Sequence, residues 1–345
     1  MRDTILYFVI PCYNEEAVLP ETAKRLYEIY GQLVAGERIS PASRILFIND
    51  GSSDRTWGLI RELHKKNPVF SGLSLSRNRG HQNALLAGLL YAKDRCDIAI
   101  SMDADLQDDP EAAGEMIQKY EEGCDVVYGV RSSRKTDTAF KRTTARLFYK
   151  MMSMLGVELV SDSADYRLMS RKALVGLSEF KEVNLFLRGI VPMIGYPSDK
   201  VYYERAERFA GESKYPLRKM LHFSIEGITS LSVAPIRVIT NVGIFVFLIS
   251  ILMLIWGVIQ KLRGVTVQGW SSMMVSLWAI GGLILLSIGI VGEYVGKIYL
   301  EAKGRPRFLI DETLDEKGYQ SPDLAALEKA AADTIRNVYD EGGRK

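Results

Sequence analysis

The sequence predicts an α/β protein built on a mostly parallel sheet and extended by two membrane-length helices. Two observations carry that prediction. Residues 5–10, 44–49, 71–76, 97–102 and 125–128 are short runs rich in Ile, Val, Leu and aromatics, and helix-length segments at 20–34, 56–66, 83–93 and 110–122 separate them. Such alternation builds a parallel sheet with helices on its faces. Further on, residues 238–260 and 264–292 carry no Asp, Glu, Lys or Arg.

In parallel α/β sheets, ligands bind beyond the carboxyl ends of the strands. The polar residues collect in the loops that follow the strands: Pro11 to Glu16, Asp50 to Asp54, Arg77 to His81 and Asp103 to Gln107. They are expected to converge on one edge.

About 20 apolar residues span the hydrocarbon core, so both charge-free stretches qualify as transmembrane helices; a buried hairpin inside a soluble protein is the alternative. Arg218, Lys219 and Arg237 precede the first stretch, Lys297, Lys303, Arg305 and Arg307 follow the second, and only Lys261 and Arg263 lie between them. This bias puts both flanks, and hence both termini, in the cytoplasm of a multi-pass inner-membrane protein. Residues 215–234 mix apolar positions with Arg218, Lys219, His222 and Glu226, as an interfacial helix or an ordinary amphipathic packing helix does. The expected organisation is a cytoplasmic catalytic domain at 1–214, an interfacial helix at 215–235, a two-helix membrane region at 236–296 and a cytoplasmic tail at 297–345. Within that tail the residues after Asp311 are polar, and Ser321-Pro322 reads as the start of a short helix.

Composition removes other classes. The 345 residues are 47% hydrophobic and 25% charged, which excludes bulk disorder and fibrous repeats. Lys+Arg number 44 against 42 Asp+Glu, so no global basic surface points to nucleic acid. The mean hydropathy of +0.00 averages a soluble first part with an apolar last third. Cys12, Cys96 and Cys124 lie far apart without C-x-x-C spacing, which suggests free thiols rather than disulfides or zinc. The amino terminus has too short an apolar run for a signal peptide and reads as a buried strand.

Asp103 and Asp105 end an apolar strand, and a D-x-D there offers hard oxygen ligands suited to Mg²⁺ or Mn²⁺ with substrate phosphates. Alone the motif is weak, because acidic turns are common. Asp50 also follows an apolar strand, in a Gly-Ser-Ser turn where Ser53 or Asp54 equally serves as a helix cap. Glu15 is open to a simple helix-dipole reading.

The ordered set PCYNEE, NDGSSD, LSRNRG, DADLQDDP and GVR resembles the family 2 glycosyltransferases of GT-A fold over roughly the first 170 residues. The later order DSADYRLMSRKAL, NLFLRGIVPMIGY, RAERFAGESKYPLRKM, two spans and GEYVGKIYLEAKGRPRFLIDE is similar to polyisoprenyl-phosphate glycosyltransferases of the bactoprenol glucosyltransferase type, relatives of dolichol-phosphate mannose synthase. The resemblance implies that Pro11, Tyr13, Glu15 and Asp50 hold the nucleotide base and ribose. It gives Asp103, Asp105 and Gln107 the divalent metal, with Asp103 also on the donor. Arg131 and Arg142 are then expected to meet the acceptor phosphate, and Arg205, Ser213 and Lys214 to close a loop on the diphosphate.

Asp105 and Asp165 are the catalytic carboxylates the resemblance implies. Asp165 would orient the nucleophile or act as base, with Asp162 as a competitor. The implied reaction is a single inverting displacement from a nucleotide sugar to undecaprenyl or a related polyprenyl phosphate. UDP-glucose leads, with N-acetylglucosamine, galactose and GDP-mannose as the other donors. Such an anionic acceptor is already a nucleophile, so a strong general base is not obligatory. The loop SRNRGHQNA departs from relatives that carry an aromatic after the Asn, which leaves the sugar open. A polysaccharide or other lipid acceptor is the alternative, disfavoured by the missing Q-x-x-R-W motif; a non-catalytic scaffold is opposed by the intact Asp103/Asp105 pair. A flippase, a downstream glycosyltransferase of the same pathway and a second copy of the chain, through Gly281, Gly282, Gly289 and Gly292, are the further partners this reading brings.

Overall fold

In the computed structural model, the described residues are 3–132, 163–183, 185–204, 229, 232, 234–263 and 269–315. Eight strands form one sheet in the order β7-β5-β6-β4-β1-β2-β3-β8. They are β1 (Leu6–Cys12), β2 (Arg44–Asn49), β3 (Phe70–Leu75), β4 (Ile98–Ser101), β5 (Val126–Arg131), β6 (Ser163–Ser170), β7 (Ser198–Tyr203) and β8 (Ile310–Leu314). The central strands are apolar runs because helices cover both faces. On β1, Phe8 and Ile10 pack with α1 (Leu19–Ala35), α2 (Thr56–Lys66) and α4 (Ala112–Glu121). Val9 faces the other way, toward α3 (His81–Ala92), α5 (Arg171–Ser178) and α6 (Leu187–Met193).

α3 lies close against the sheet at Gly88, where an added Cβ would stand 2.5 Å from a methyl of Val9 and 2.6 Å from one of Ile48. Gly88→Ala is therefore expected to destabilise the fold by about 1–3 kcal/mol through overpacking, read as a lowered denaturation midpoint at unchanged slope.

Pairing is parallel for β1 with β2 and β4, β2 with β3, and β5 with β7. β6 runs antiparallel between β4 and β5, and β8 antiparallel beside β3. The amino end of β6 thus lies on the same sheet edge as the carboxyl ends of β4 and β5. Strand order reverses around β1, since β2 follows on one side and β4 on the other, and such a switch point opens a crevice at that edge.

The first five strands and four helices expected from the sequence are present with small shifts at their ends. Of the polar stretch after Asp311, residues 312–314 close β8 at the sheet edge. Glu312 accepts a hydrogen bond from Trp57 Nε1 at 2.9 Å and pairs with Arg61, while Tyr91 donates to Asp315 at 3.1 Å. The helix expected from Ser321 onward, the interfacial helix at 215–235 apart from 229, 232, 234 and 235, and Asp162, Arg142, Arg205, Ser213 and Lys214 fall outside the described residues.

Two long helices occupy the apolar part of the chain: α7 (Ala234–Leu262) and α8 (Trp270–Ala302). Among the described residues one stretch, Ile280–Ala302, is long and apolar enough to cross a membrane, and 235–246 is a shorter apolar segment. The end of α8 is tied to the sheet domain. Val183 donates its N–H to Glu301 at 2.9 Å, Arg307 donates to the carbonyls of Phe180 and Glu182, and the chain then runs into β8.

Candidate active site

The loop after β1 and the loop after β2 are locked together. Asn14, at φ 54°, donates its N–H to Ser52 Oγ, and its side-chain oxygen accepts from the Ser53 N–H. The Glu15 N–H donates to Thr56 Oγ1, and that of Glu16 to Asp54. Asp54 also accepts from the Thr56 N–H at 3.0 Å, but the residue at the cap of α2 is Arg55, without a side-chain capping bond, so neither Ser53 nor Asp54 takes the cap position expected of them. Pro11 is buried at the end of β1, and Tyr13 lies 46% exposed beside it, a ring open to a flat ligand.

Asp50 is buried, and each carboxylate oxygen is engaged: Oδ1 accepts from the Arg79 N–H at 2.7 Å and Oδ2 from the Gly80 N–H at 2.9 Å. Burial raises its pKa against the pull of these two backbone donors. The arrangement fixes the 77–80 loop. Gly51 in turn must be glycine, because at φ +63° an added Cβ would lie 2.4 Å from the Asn78 nitrogen.

That loop delivers His81, which opens α3. His81 Nε2 stands 3.4 Å from Asp103 Oδ1 and 3.5 Å from Asp165 Oδ2, so one imidazole joins carboxylates from the β4 loop and from β6. Burial works against its charge, but Asp103 and Asp165 prevail and raise it to about 9, which makes it an imidazolium at neutral pH. Asp103 itself is raised, by burial first and then by Asp165, Asp108 and Asp105, with His81 opposing. Asp105 Oδ1 accepts from the Gln107 N–H across Leu106, whose φ is 55°, so this turn is tight.

Asp165 is the most heavily engaged carboxylate here. Oδ1 accepts from Arg167 Nη2 at 2.6 Å and from Arg188 Nε at 3.3 Å; Oδ2 accepts from Arg188 Nη2 at 3.0 Å. Burial alone would raise its pKa, yet Arg188, the His81 hydrogen bond and Arg167 hold it well below the usual carboxylate range. At the end of β5, Arg131 Nη2 pairs with buried Asp108 at 3.3 Å.

The fold thus gathers Pro11, Tyr13, Glu15, Asp50, Asp103, Asp105, Gln107, Arg131 and Asp165 along one sheet edge. The sequence reading missed His81, Arg167, Arg188, Asp108 and Tyr203. Arg188 sits in the quoted NLFLRG run and His81 in the quoted loop, but their pairing across α6, α3 and β6 leaves no local signal.

A mostly parallel α/β sheet with paired carboxylates on its carboxyl edge is the frame of a nucleotide-sugar transferase, and residues 7–177 match the family model for glycosyl transferase family 2. The chain belongs to the family 2 glycosyltransferases and is a glycosyltransferase. Residues 234–298 match the GtrB C-terminal hairpin model, which covers most of α7 and α8. The uncharacterized glycosyltransferase YkoT of Bacillus subtilis is 53% identical over 97% of this chain and 98% of its own. The bactoprenol glucosyl transferase of Shigella phage SfX is 41% identical over 88% of this chain and 97% of its own. A distant likeness joins it to the glucosyl-3-phosphoglycerate synthase of Mycobacterium tuberculosis, solved with Mn²⁺, UDP and phosphoglyceric acid, at TM-score 0.40 and 19% identity over 66% and 77% of the two chains.

Proposed function

We propose that this enzyme transfers a hexose, glucose from UDP-glucose foremost, to a polyprenyl phosphate at the cytoplasmic face of the membrane. One observation carries the lipid acceptor: a transferase edge and an apolar hairpin occur in one chain, clamped together by Glu301, Arg307 and β8. The likeness to bactoprenol glucosyl transferases over nearly their whole length supports it. A lipid acceptor that cannot leave the bilayer explains the hairpin, read here as two spans with both ends cytoplasmic.

In the displacement, an oxygen of the acceptor phosphate forms a bond to the sugar C1 as the C1–O bond to the nucleotide diphosphate breaks, and UDP departs with the electron pair. The acceptor enters as a dianion, so no proton has to be removed. Asp165, held ionised with both oxygens engaged, serves to orient the acceptor side through Arg188 and His81 rather than as a base. Tyr13, Pro11, Glu15 and Asp50 flank the nucleotide, directly or, for Asp50, through the loop it holds. Arg131 and Arg142 meet the acceptor phosphate by forked hydrogen bonds, while Arg205, Ser213 and Lys214 close on the diphosphate.

The donor set suits Mg²⁺ or Mn²⁺. Asp103 and Asp105 give carboxylate oxygens and Gln107 an amide oxygen, hard ligands suited to such a cation. Among the described residues no cluster of three or more His, Cys, Asp or Glu is set to hold a metal ion. The cation supplies charge neutralisation of the departing diphosphate.

Transfer of radiolabelled sugar from a panel of nucleotide sugars into organic-extractable lipid tests the reading, with purified protein, polyprenyl phosphate and Mn²⁺ or Mg²⁺. Label is expected from UDP-glucose. Nucleotide binding without labelled lipid from any donor would overturn the acceptor.

A further inference from the structure

Beyond the acceptor-side arginines lies a buried group that the reaction scheme above leaves unused. Asp108 leaves the β4 loop and is 1% exposed. Its Oδ1 accepts from the Tyr203 hydroxyl at 2.5 Å and from Arg131 Nη2 at 3.3 Å. Tyr203 ends β7, directly opposite Arg131 in the β5–β7 register, and the Ser132 N–H and hydroxyl both donate to its carbonyl. The Tyr203 ring meets Tyr166 edge-on at 5.3 Å, and the Tyr166 hydroxyl donates to the Asp109 carbonyl at 2.9 Å. Strand pairing, ring packing and a backbone hydrogen bond therefore fix the pair Asp108–Tyr203 before any ligand arrives.

Arg131 is fixed differently. Its side chain is 28% exposed, with Nη2 on Asp108 Oδ1 at 3.3 Å and the Tyr203 hydroxyl as a second hydrogen-bond neighbour. Among the described residues, Arg131 Nε and Asp108 Oδ2 are both buried without a hydrogen-bond partner. A buried donor and a buried acceptor left over on two residues already in contact are costly in a closed interior. A small rotation of the guanidinium turns the single contact into the two-point pair that arginine and carboxylate favour, with the remaining donors facing outward.

We infer that Asp108 and Tyr203 are positioning residues that preset the Arg131 guanidinium for the phosphate of the lipid acceptor. The inference rests on the reading of Arg131 as an acceptor-phosphate ligand. A long arginine side chain loses up to about 2 kcal/mol of rotamer freedom when immobilised. A residue that immobilises it beforehand lowers the cost of binding without touching the ligand.

The experiment uses the full-length protein in detergent, with polyprenyl phosphate varied at saturating donor and the reverse. Tyr203→Phe removes only the hydroxyl and is expected to raise the acceptor KM roughly tenfold, as loss of a hydrogen bond to a charged group does. The donor KM and the kcat at saturating acceptor should stay within about twofold. Asp108→Asn keeps the side-chain shape and should act in the same direction, which guards against a folding defect peculiar to one variant. Arg131→Ala should raise the acceptor KM further, and adding Tyr203→Phe to it should raise it no more, because the hydroxyl acts only through Arg131. A merely structural role predicts instead additive losses, with both KM values raised and kcat lowered together. If Arg131→Ala leaves the acceptor KM unchanged, the acceptor reading of Arg131 falls and the inference with it. If Arg131→Ala raises it while Tyr203→Phe and Asp108→Asn do not, or if the losses add, the acceptor reading stands and the positioning role is wrong.

Discussion

Asp165→Asn is expected to cost the folded protein about 3–5 kcal/mol, the usual penalty for breaking a buried ion pair from one side. Arg167 is 2% exposed, and its Nε has no partner among the described residues. Its other described contact beyond Asp165 is a 3.4 Å bond to the Leu187 carbonyl, so a neutral residue at 165 leaves a guanidinium stranded in the sheet. Measured against a total stability of about 5–15 kcal/mol, the loss is large enough to show as a clear fall in the denaturation midpoint. Because the carboxyl's pKa is depressed in the folded protein, its contribution is present above the ordinary carboxylate value near 3.9 and is lost as pH falls through the lower folded value. The difference between wild type and variant should therefore be greatest between about pH 5 and about pH 6.5, decline at higher pH because His81, raised to about 9 in part by Asp165, gives up that share of its contribution, and shrink again in stronger acid. A variant as stable as wild type at pH 7, or a difference already gone at pH 5, would show that the charge is not what the network holds.

Why was this network invisible in the sequence while the first half of the fold was not? Strands β1 to β4 are covered on both faces, so LYFVIPC and RILFIN read as unbroken apolar runs. The boundaries of α3 moved to His81 because Gly80, at φ +84°, ends the loop there and Asp50 holds its N–H. β6 reads SADYRLMS, and its two charged residues look like a surface turn until Arg188, His81 and a neighbouring strand supply their partners. β8, IDETL, is an edge strand whose polar residues satisfy Trp57 and Arg61, so no hydrophobic alternation announces it. The D-x-D motif is legible because it ends an apolar strand, whereas GVR enters only through the resemblance to the family. His81, Arg188, Asp108 and Tyr203 gain their roles only when separated segments meet at one edge.

The second large effect concerns Asp105. Asp105→Ala is expected to lower transfer at least about a hundredfold at any metal concentration, because stabilising the charge that develops on a departing diphosphate is worth several kcal/mol. The fold should remain intact. Asp105 is half-buried in the loop after β4, and the core beneath it is closed by the buried Ala104 and Leu106 on either side. This separates it from Asp165, whose loss is felt in stability first. Mn²⁺ affinity, followed by the paramagnetic relaxation of water protons in the presence of UDP, should fall along with turnover, while binding of UDP without metal should change little. Asp105→Glu, which keeps the carboxylate on a longer stem, should recover part of the metal affinity. Full metal-dependent turnover in Asp105→Ala would remove the carboxylate from the metal site and leave Asp103 and Gln107 as the ligands to test.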